Sequence, residues 1–433
     1  MSTEILPVSL AAIGIDQATT SKSSWIDTWQ LEDSNTSQDA QNLRRAAHEL
    51  RTSDVPVAFP TETVYGLGAD ATRSNAVKGI YKAKQRPSDN PLISHIWSLH
   101  QLRDLLRPGA ETRTNGYTRD PIPEIYKPLI AKFWPGPLTL IMPNPENSKL
   151  APEVTAGLPT FGIRIPQNPH ALALLKLANT PLAAPSANAS TKPSPTQAEH
   201  VKYDLEGRIS TIIDGGPCNV GVESTVVDGL SDPPSILRPG GISIEEIRSC
   251  PGWHNVTVGY KDVSESDSKP RAPGMKYKHY SPKTRVVLFE HTREAPDLEE
   301  LHQYLGGNNR IGLIRTARWR QGLGLHDLQE KTPDVPRLIS QDCHDNASAI
   351  GSSALRTEVL RASTPRGSAF TIYDIGLGRA PEDIARGLFA ALRSLDKLDL
   401  DTILVEGVDD TLGDVSTAVM NRLRKAAEIK LLG

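Results

Sequence analysis

Val55-Pro56-Val57-Ala58-Phe59-Pro60-Thr61-Glu62-Thr63-Val64-Tyr65-Gly66-Leu67-Gly68 is the stretch on which the fold turns. Val55 to Phe59 is a short apolar run closed by a proline, the pattern of a buried strand. Two threonine hydroxyls, a carboxylate and a phenol follow at once. Polar groups crowded at a strand end suit a small ligand, although a capped turn before a helix would use the same residues.

Outward from this stretch the elements alternate without a strict βαβ rhythm. Leu43, Ala46, Ala47 and Leu50 repeat at helical spacing over 39–50. Helices are expected over 75–84 and 169–177, and strands over 91–96, 138–142, 161–165, 211–214, 224–227 and 235–237. Such a mixture predicts a twisted, mixed sheet. Residues 107–123 are polar and rich in Pro and Gly, and read as an inserted loop. Lys261 to Arg271 lacks apolar periodicity and suits a linker. Beyond Pro282 strands are expected at 285–289, 310–315, 370–374 and 402–406, with helices at 297–305, 384–395 and 415–427. That alternation predicts a smaller α/β domain with a parallel, Rossmann-like sheet. Four segments result: an N-terminal extension (1–38), loosely docked at most, a catalytic domain (39–248), a linker (249–282) and a C-terminal domain (283–433).

Composition narrows the function. The 433 residues carry 48 Lys and Arg against 51 Asp and Glu, a net charge of −3, so any phosphate site must be local. The three cysteines, Cys218, Cys250 and Cys343, are far apart and form no Cys-x-x-Cys pair, which suits a reducing compartment. No apolar run approaches the roughly 20 residues that span a bilayer, and no membrane association is expected. The first 38 residues contain acidic groups and no Arg, a poor match to a mitochondrial presequence. A cytoplasmic location is expected, with a mitochondrial form left open.

No Walker loop, Gly-x-Gly-x-x-Gly or His-Glu-x-x-His occurs. Chemistry concentrates instead in four clusters. The first is the opening stretch. The second, Lys82-Ala83-Lys84-Gln85-Arg86-Pro87-Ser88, offers a point charge and a guanidinium fork for a polyphosphate, or merely complements a helix dipole. The third, Pro185-Ser186-Ala187-Asn188-Ala189-Ser190 with Lys192 to Thr196, is a rigid loop of hydroxyl and N–H donors. The fourth runs from Asp214-Gly215-Gly216 through Gly221-Val222-Glu223-Ser224-Thr225 to Leu237-Arg238-Pro239-Gly240.

In this order, with Trp134-Pro135-Gly136-Pro137-Leu138-Thr139, the clusters resemble the two-domain threonylcarbamoyl-AMP synthases, which pair a YrdC-like catalytic domain with a smaller C-terminal domain. The resemblance is close over about 40–248, continues through Ala272-Pro273-Gly274-Met275-Lys276-Tyr277-Lys278-His279-Tyr280, and is looser beyond. It implies an open, twisted α/β sheet with a concave basic pocket. It implies a nucleotidyltransferase: L-threonine and bicarbonate form a carbamate, whose oxygen attacks the α-phosphate of ATP to give threonylcarbamoyl-AMP and pyrophosphate. A downstream threonylcarbamoyl transferase complex would pass the group to tRNA, and a weak direct tRNA contact is left open.

Carried over by motif, Thr61, His95, Thr160, Arg164 and Ser224 are expected to hold threonine, with Arg164 on its carboxylate. Lys84, Arg86, Ser186, Asn188, Ser194 and Arg238 are expected to hold the ATP phosphates and ribose, with Ser88 and Ala184 adding contacts. Lys84 and Arg86 would stabilise charge during transfer. Mg²⁺ would arrive on ATP rather than in a protein cage. Residues 272–280 are denser in aromatic and basic groups than a tether needs, which suggests an active-site lid with Tyr277 on the nucleotide. Two alternatives stand beside this reading. A carbamoyl-AMP-forming carbamoyltransferase would be expected to bring cysteine-rich fingers, and a double-stranded RNA or tRNA-binding module an RNA-recognition motif. Neither occurs.

Overall fold

A computed structural model describes residues 1–9, 36–107, 120–260, 279–325, 329–330, 355–363 and 369–433. Tyr277, the core of the linker and most of the 107–123 insertion lie outside these residues, and with them all of the expected lid but His279 and Tyr280. The chain divides into two units, Met1–Tyr277 and Lys278–Gly433.

The first unit is built on one large mixed sheet. Its strands are β1 (Glu4–Pro7), β2 (Val57–Phe59), β3 (Gly66–Asp70), β4 (Ile93–His95), β5 (Leu138–Pro143), β6 (Thr160–Arg164), β7 (Leu182–Ala183), β8 (Thr211–Asp214), β9 (Thr225–Asp228), β10 (Ser235–Arg238) and β11 (Thr257–Val258). They lie in the order β1-β8-β2-β3-β7-β4-β6-β5-β9-β10-β11. Parallel and antiparallel pairs mix, as at β4–β6 (parallel) and β5–β6 (antiparallel). The sheet is therefore mixed, as the irregular element order predicts.

Alternation along β6 divides its residues between two faces. Phe161 and Ile163 join the main core with Leu140 and helix residues such as Leu43 and Leu172. Thr160, Gly162 and Arg164 share the other face, where Ile141, Val226 and Leu237 form a separate small apolar cluster. The helix Gln38–Thr52 buries Leu43, Ala46, Ala47 and Leu50, the stripe its spacing predicts. Its start is capped by the Ser37 hydroxyl.

Three boundaries differ from expectation. Residues 4–7 are not a loose extension: β1 pairs in parallel with β8, Glu4 opposite Thr211. The catalytic unit also runs past residue 248. Trp253 is fully buried in its core and donates to the Ile125 carbonyl at 2.7 Å, and Thr257 and Val258 add a strand beside β10. Residues 66–70, for which the sequence predicts no element, form β3. The Phe59 ring packs against that strand, and a Cβ on Gly68 would come within 2.7 Å of it, so glycine is favoured where β-propensity would favour a larger residue.

The second unit holds β12 (Arg285–Phe289), β13 (Arg310–Arg315), β14 (Gln329–Glu330), β15 (Thr357–Ser363), β16 (Ala369–Gly376), β17 (Thr402–Glu406) and β18 (Ile429–Leu431), in the order β14-β15-β16-β13-β17-β12-β18. Five strands are parallel, as alternation predicts. The parallel sheet carries an antiparallel edge that the alternation does not predict, where β15 runs antiparallel to β16 and β14 antiparallel to β15. Among the described residues no helix is long and apolar enough to cross a membrane.

Candidate active site

Pro60 ends β2, and the chain turns through Thr61 to Tyr65 before β3. Side-chain hydrogen bonds fix this turn. Thr61 Oγ1 donates to the Val64 carbonyl at 2.7 Å and accepts from the Thr63 and Val64 N–H groups at 3.2 and 3.3 Å. With its one proton committed, the Thr61 hydroxyl accepts from Thr63 Oγ1 across 2.8 Å. Thr63 Oγ1 in turn accepts from Arg164 Nη1 at 3.0 Å. A relay thus runs from the arginine through two hydroxyls to the backbone.

Arg164 ends β6 and is buried. Its Nε donates to the Gly136 carbonyl at 3.0 Å, and its Nη2 contacts Glu62 in a buried ion pair. The Trp134-Pro135-Gly136-Pro137 turn is placed for this: the Gly136 N–H donates to Ile165 at 2.9 Å and the Pro137 carbonyl accepts from Thr225 at 3.0 Å. His95, opposite Arg164 in the β4–β6 ladder, is also buried. Desolvation, then the neighbouring arginine charge, lowers its pKa to about 3, so the ring is neutral at ordinary pH. Its Nδ1 lies 3.3 Å from the Ile93 carbonyl.

The four clusters of the sequence meet by hydrogen bonds. The Glu62 and Thr63 carbonyls accept from Val220 at 2.8 Å and Gly221 at 3.1 Å, joining the first cluster to the fourth. Tyr65 N donates to Pro195 and its carbonyl accepts from Ala187, both at 2.8 Å, joining the first to the third. Lys84 joins the second to the third. It is the last residue of the helix Ser74–Lys84, and Gln85 takes a left-handed conformation (φ 54°) that turns the chain out. Its buried Nζ donates to the Ser186 and Asn188 carbonyls, the latter at 2.7 Å, and to Asn188 Oδ1 at 3.3 Å. A helix-end charge serving only the dipole would lie in solvent. Ser186 Oγ donates to Asn188 Oδ1 at 2.6 Å, and Asn188 Nδ2 donates to Ala189 and Lys192, both at 2.8 Å.

At the fourth cluster, Arg238 donates to Ser224, whose hydroxyl lies 2.8 Å from Thr139 Oγ1. Gly240 packs directly on the Ser224–Thr225 backbone, where a Cβ would collide. Ser194 Oγ donates to Glu223 Oε1 at 2.5 Å.

Other expected residues stand differently. Ser88 is exposed and Arg86 half-buried on the turn after Lys84. The Ala184 N–H is committed to the Ile93 carbonyl at 2.9 Å, so only its carbonyl or methyl is left for a ligand. Thr160 is not brought beside Arg164. It opens β6 four residues earlier, about 13 Å away along an extended strand. The structure adds Glu62, Thr63 and Thr139 to the network. Their signal was present in the sequence, as polar residues packed between Pro60 and Val64 and next to Leu138, but nothing there says which would be buried.

Buried cations and hydroxyls gathered by loops of one mixed sheet define a class: an α/β domain with a buried, charged polar site at the strand ends. Residues 49–240 match the Sua5/YciO/YrdC family model, described as telomere recombination, and residues 242–428 match the threonylcarbamoyl-AMP synthase C-terminal domain. The chain is 45% identical over 408 residues to a threonylcarbamoyl-AMP synthase of Schizosaccharomyces pombe, covering 90% of this chain and 89% of that one. It is 40% identical to that of Pyrococcus abyssi, covering 90% and 95%. The crystal structure of P. abyssi Sua5 complexed with L-threonine superposes with a TM-score of 0.68 at 34% identity, covering 99% of this chain and all of that one. The chain belongs to the threonylcarbamoyl-AMP synthase family of enzymes.

Proposed function

We propose that this chain condenses L-threonine, bicarbonate and MgATP into threonylcarbamoyl-AMP, pyrophosphate and water, as the activated donor for a threonylcarbamoyl group on tRNA. The observation that carries this is the single network joining Arg164, Lys84, Arg238 and Ser224. The Arg164–Thr63–Thr61 relay offers a carboxylate clamp with oriented hydroxyls, the kind of site an amino acid needs. The P. abyssi structure holding L-threonine supports that half of the reading.

The reaction needs little covalent help from the protein. The threonine amine adds to the bicarbonate carbon and water leaves, forming a carbamate. A carbamate oxygen attacks the α-phosphorus while the bond to the β-phosphate oxygen breaks, and pyrophosphate departs. Alignment and charge stabilisation then set the rate. Lys84 and Arg86 would face the polyphosphate, Ser186, Asn188 and Ser194 its oxygens or the ribose, and Arg238 would bridge to the threonine side through Ser224. Mg²⁺ enters as part of the substrate. A downstream transferase would take the product.

The test is incubation with labelled bicarbonate, L-threonine and MgATP. Labelled threonylcarbamoyl-AMP and equimolar pyrophosphate are expected, and each should vanish when any one substrate is omitted. A protein that yields neither product yet retains duplex RNA in a gel shift would be an RNA-binding module instead.

A further inference from the structure

Asp204 belongs to none of the four clusters, yet it reaches the third of them from behind. It lies in the last turn of the helix Ala198–Leu205, and its side chain is fully buried. A carboxylate there meets the negative end of the helix dipole and gives up its water, so helix stability does not account for it. Its partners are in the loop that carries Ser186, Asn188 and Ser194. Oδ2 accepts from the Ala189 N–H at 3.2 Å, and Oδ1 pairs with Lys192 Nζ at 3.1 Å. Those two residues hold Asn188 in turn, because Asn188 Nδ2 donates to both of their carbonyls. His200, one turn earlier on the same helix face, accepts from the Thr196 N–H at 3.3 Å. One helix face thus ties the loop down on both sides of Ser194.

The segment that Asp204 grips is strained. Thr191 has φ 72°, inside a turn that the Lys192 N–H closes on the Ala189 carbonyl at 3.3 Å. A β-branched residue rarely takes this left-handed conformation, and it persists only where the surroundings enforce it. Asp204 holds the turn at both ends, Ala189 and Lys192. We propose that Asp204 is a positioning residue for the nucleotide, which keeps the 189–192 turn in its strained form and so fixes Asn188 and Ser186. This rests on the proposed function and names what sets its nucleotide loop. Without the carboxylate, Thr191 relaxes toward negative φ, the turn opens, and the Ala189 and Lys192 carbonyls leave Asn188. Asn188 Oδ1 accepts from both Ser186 Oγ and Lys84 Nζ, so its displacement carries to those two residues. The Arg164–Thr63–Thr61 relay is anchored elsewhere, on the Gly136 and Val64 carbonyls. ATP and threonine should therefore respond differently.

The experiment is calorimetric titration of the full chain with MgATP and, separately, with L-threonine. Wild type is compared with Asp204→Ala, with Thr191→Gly and with the double variant. Asp204→Ala should weaken ATP about 5–150-fold, the span set by one strained backbone conformation. Threonine should stay within about two-fold of wild type, as for a site with no shared partners. Glycine takes φ 72° without strain, so the double variant should regain most of the lost ATP affinity although the carboxylate is still missing. A side chain that only supports the fold gives no such recovery. Asp204→Ala that binds ATP like wild type, that weakens ATP and threonine alike, or that stays weak after Thr191→Gly would overturn the proposal. If the alanine variant does not fold, Asp204→Asn decides in its place. It keeps an acceptor for the Ala189 N–H and gives up the Lys192 charge, and the same loss and recovery are required of it. Wild type that binds threonine but not ATP would overturn the functional reading itself.

Discussion

Arg238 clasps Ser224 with both arms: Nε and Nη2 donate to its carbonyl at 3.1 and 3.0 Å, and Nη2 also donates to its hydroxyl at 3.1 Å. A residue expected on the nucleotide thereby orients one expected on threonine. Lysine offers a point charge and cannot reproduce the planar fork that spans the carbonyl and the hydroxyl together. Arg238→Lys should therefore weaken both ligands, each by about 10-fold or more, the scale of a lost charged hydrogen bond. Calorimetry with ATP and threonine checks this. A loss confined to ATP would show that Ser224 keeps its orientation without the arginine.

Lys84 and Lys82 share a helix end but differ in burial, which separates catalysis from dipole compensation. Lys84→Ala removes a buried ammonium and leaves the Ser186 and Asn188 carbonyls without their donor. Pyrophosphate release at saturating ATP should drop roughly 10²–10³-fold, as for loss of one electrostatic contact to a transition state. Lys82→Ala, at an exposed position, should stay within about two-fold of wild type. Similar behaviour of the two variants in a turnover assay would return Lys84 to the status of a helix-end charge.

His95 makes stability depend on pH. Its folded pKa is about 3, whereas an unfolded histidine titrates near 6.5. Between those values the unfolded chain binds a proton that the native ring refuses. Stability conferred by the neutral ring is therefore full above about pH 6.5 and is lost as pH falls toward 3. From pH 7 to pH 5 this amounts to about 2 kcal/mol at one site. Urea unfolding of wild type and His95→Gln at the two pH values reads it directly. The wild type should lose about that much more than the variant, and parallel losses would mean that the ring is protonated in the native state.

The periodic elements were visible in the sequence because burial imposes their period. The stripe Leu43, Ala46, Ala47, Leu50 and the strand at 285–289 are found where the pattern places them. The site residues were visible as dense polar clusters. Their mutual arrangement was not, since Lys84 and Asn188 are 104 residues apart and meet only through the sheet. Strand β3 was hidden because packing against Phe59 selects Gly66 and Gly68 over strand-forming residues. Strand β1 was hidden by its four-residue length and its charged Glu4. Glu62 gave no sign of its burial, because a carboxylate in a turn is ordinarily solvated.

In the second unit one carboxylate takes the place of solvent for a whole loop. Glu406 ends β17 and is buried. Its Oε2 accepts from the Thr316 N–H at 2.7 Å, and its Oε1 from those of Arg318 and Trp319 at 2.5 and 3.0 Å. All three donors belong to the turn that follows β13, the strand beside β17. Trp319 then packs edge-on against Phe289 at 5.2 Å between ring centres, so the turn also closes the core of this unit. Glu406→Ala would leave three amides without their acceptor, at about 1–3 kcal/mol for each one that water fails to reach. With one or two stranded, the loss is about 3 kcal/mol, which for a unit of this size lowers the unfolding midpoint by roughly 6–12 °C. Glu406→Gln should be intermediate, because its amide keeps one acceptor oxygen and turns a donor toward another N–H. Differential scanning calorimetry, with Trp319 fluorescence following the same unit, is the measurement. A midpoint within a degree of wild type in the alanine variant would mean that water satisfies all three amides, and that the carboxylate is not what holds this turn.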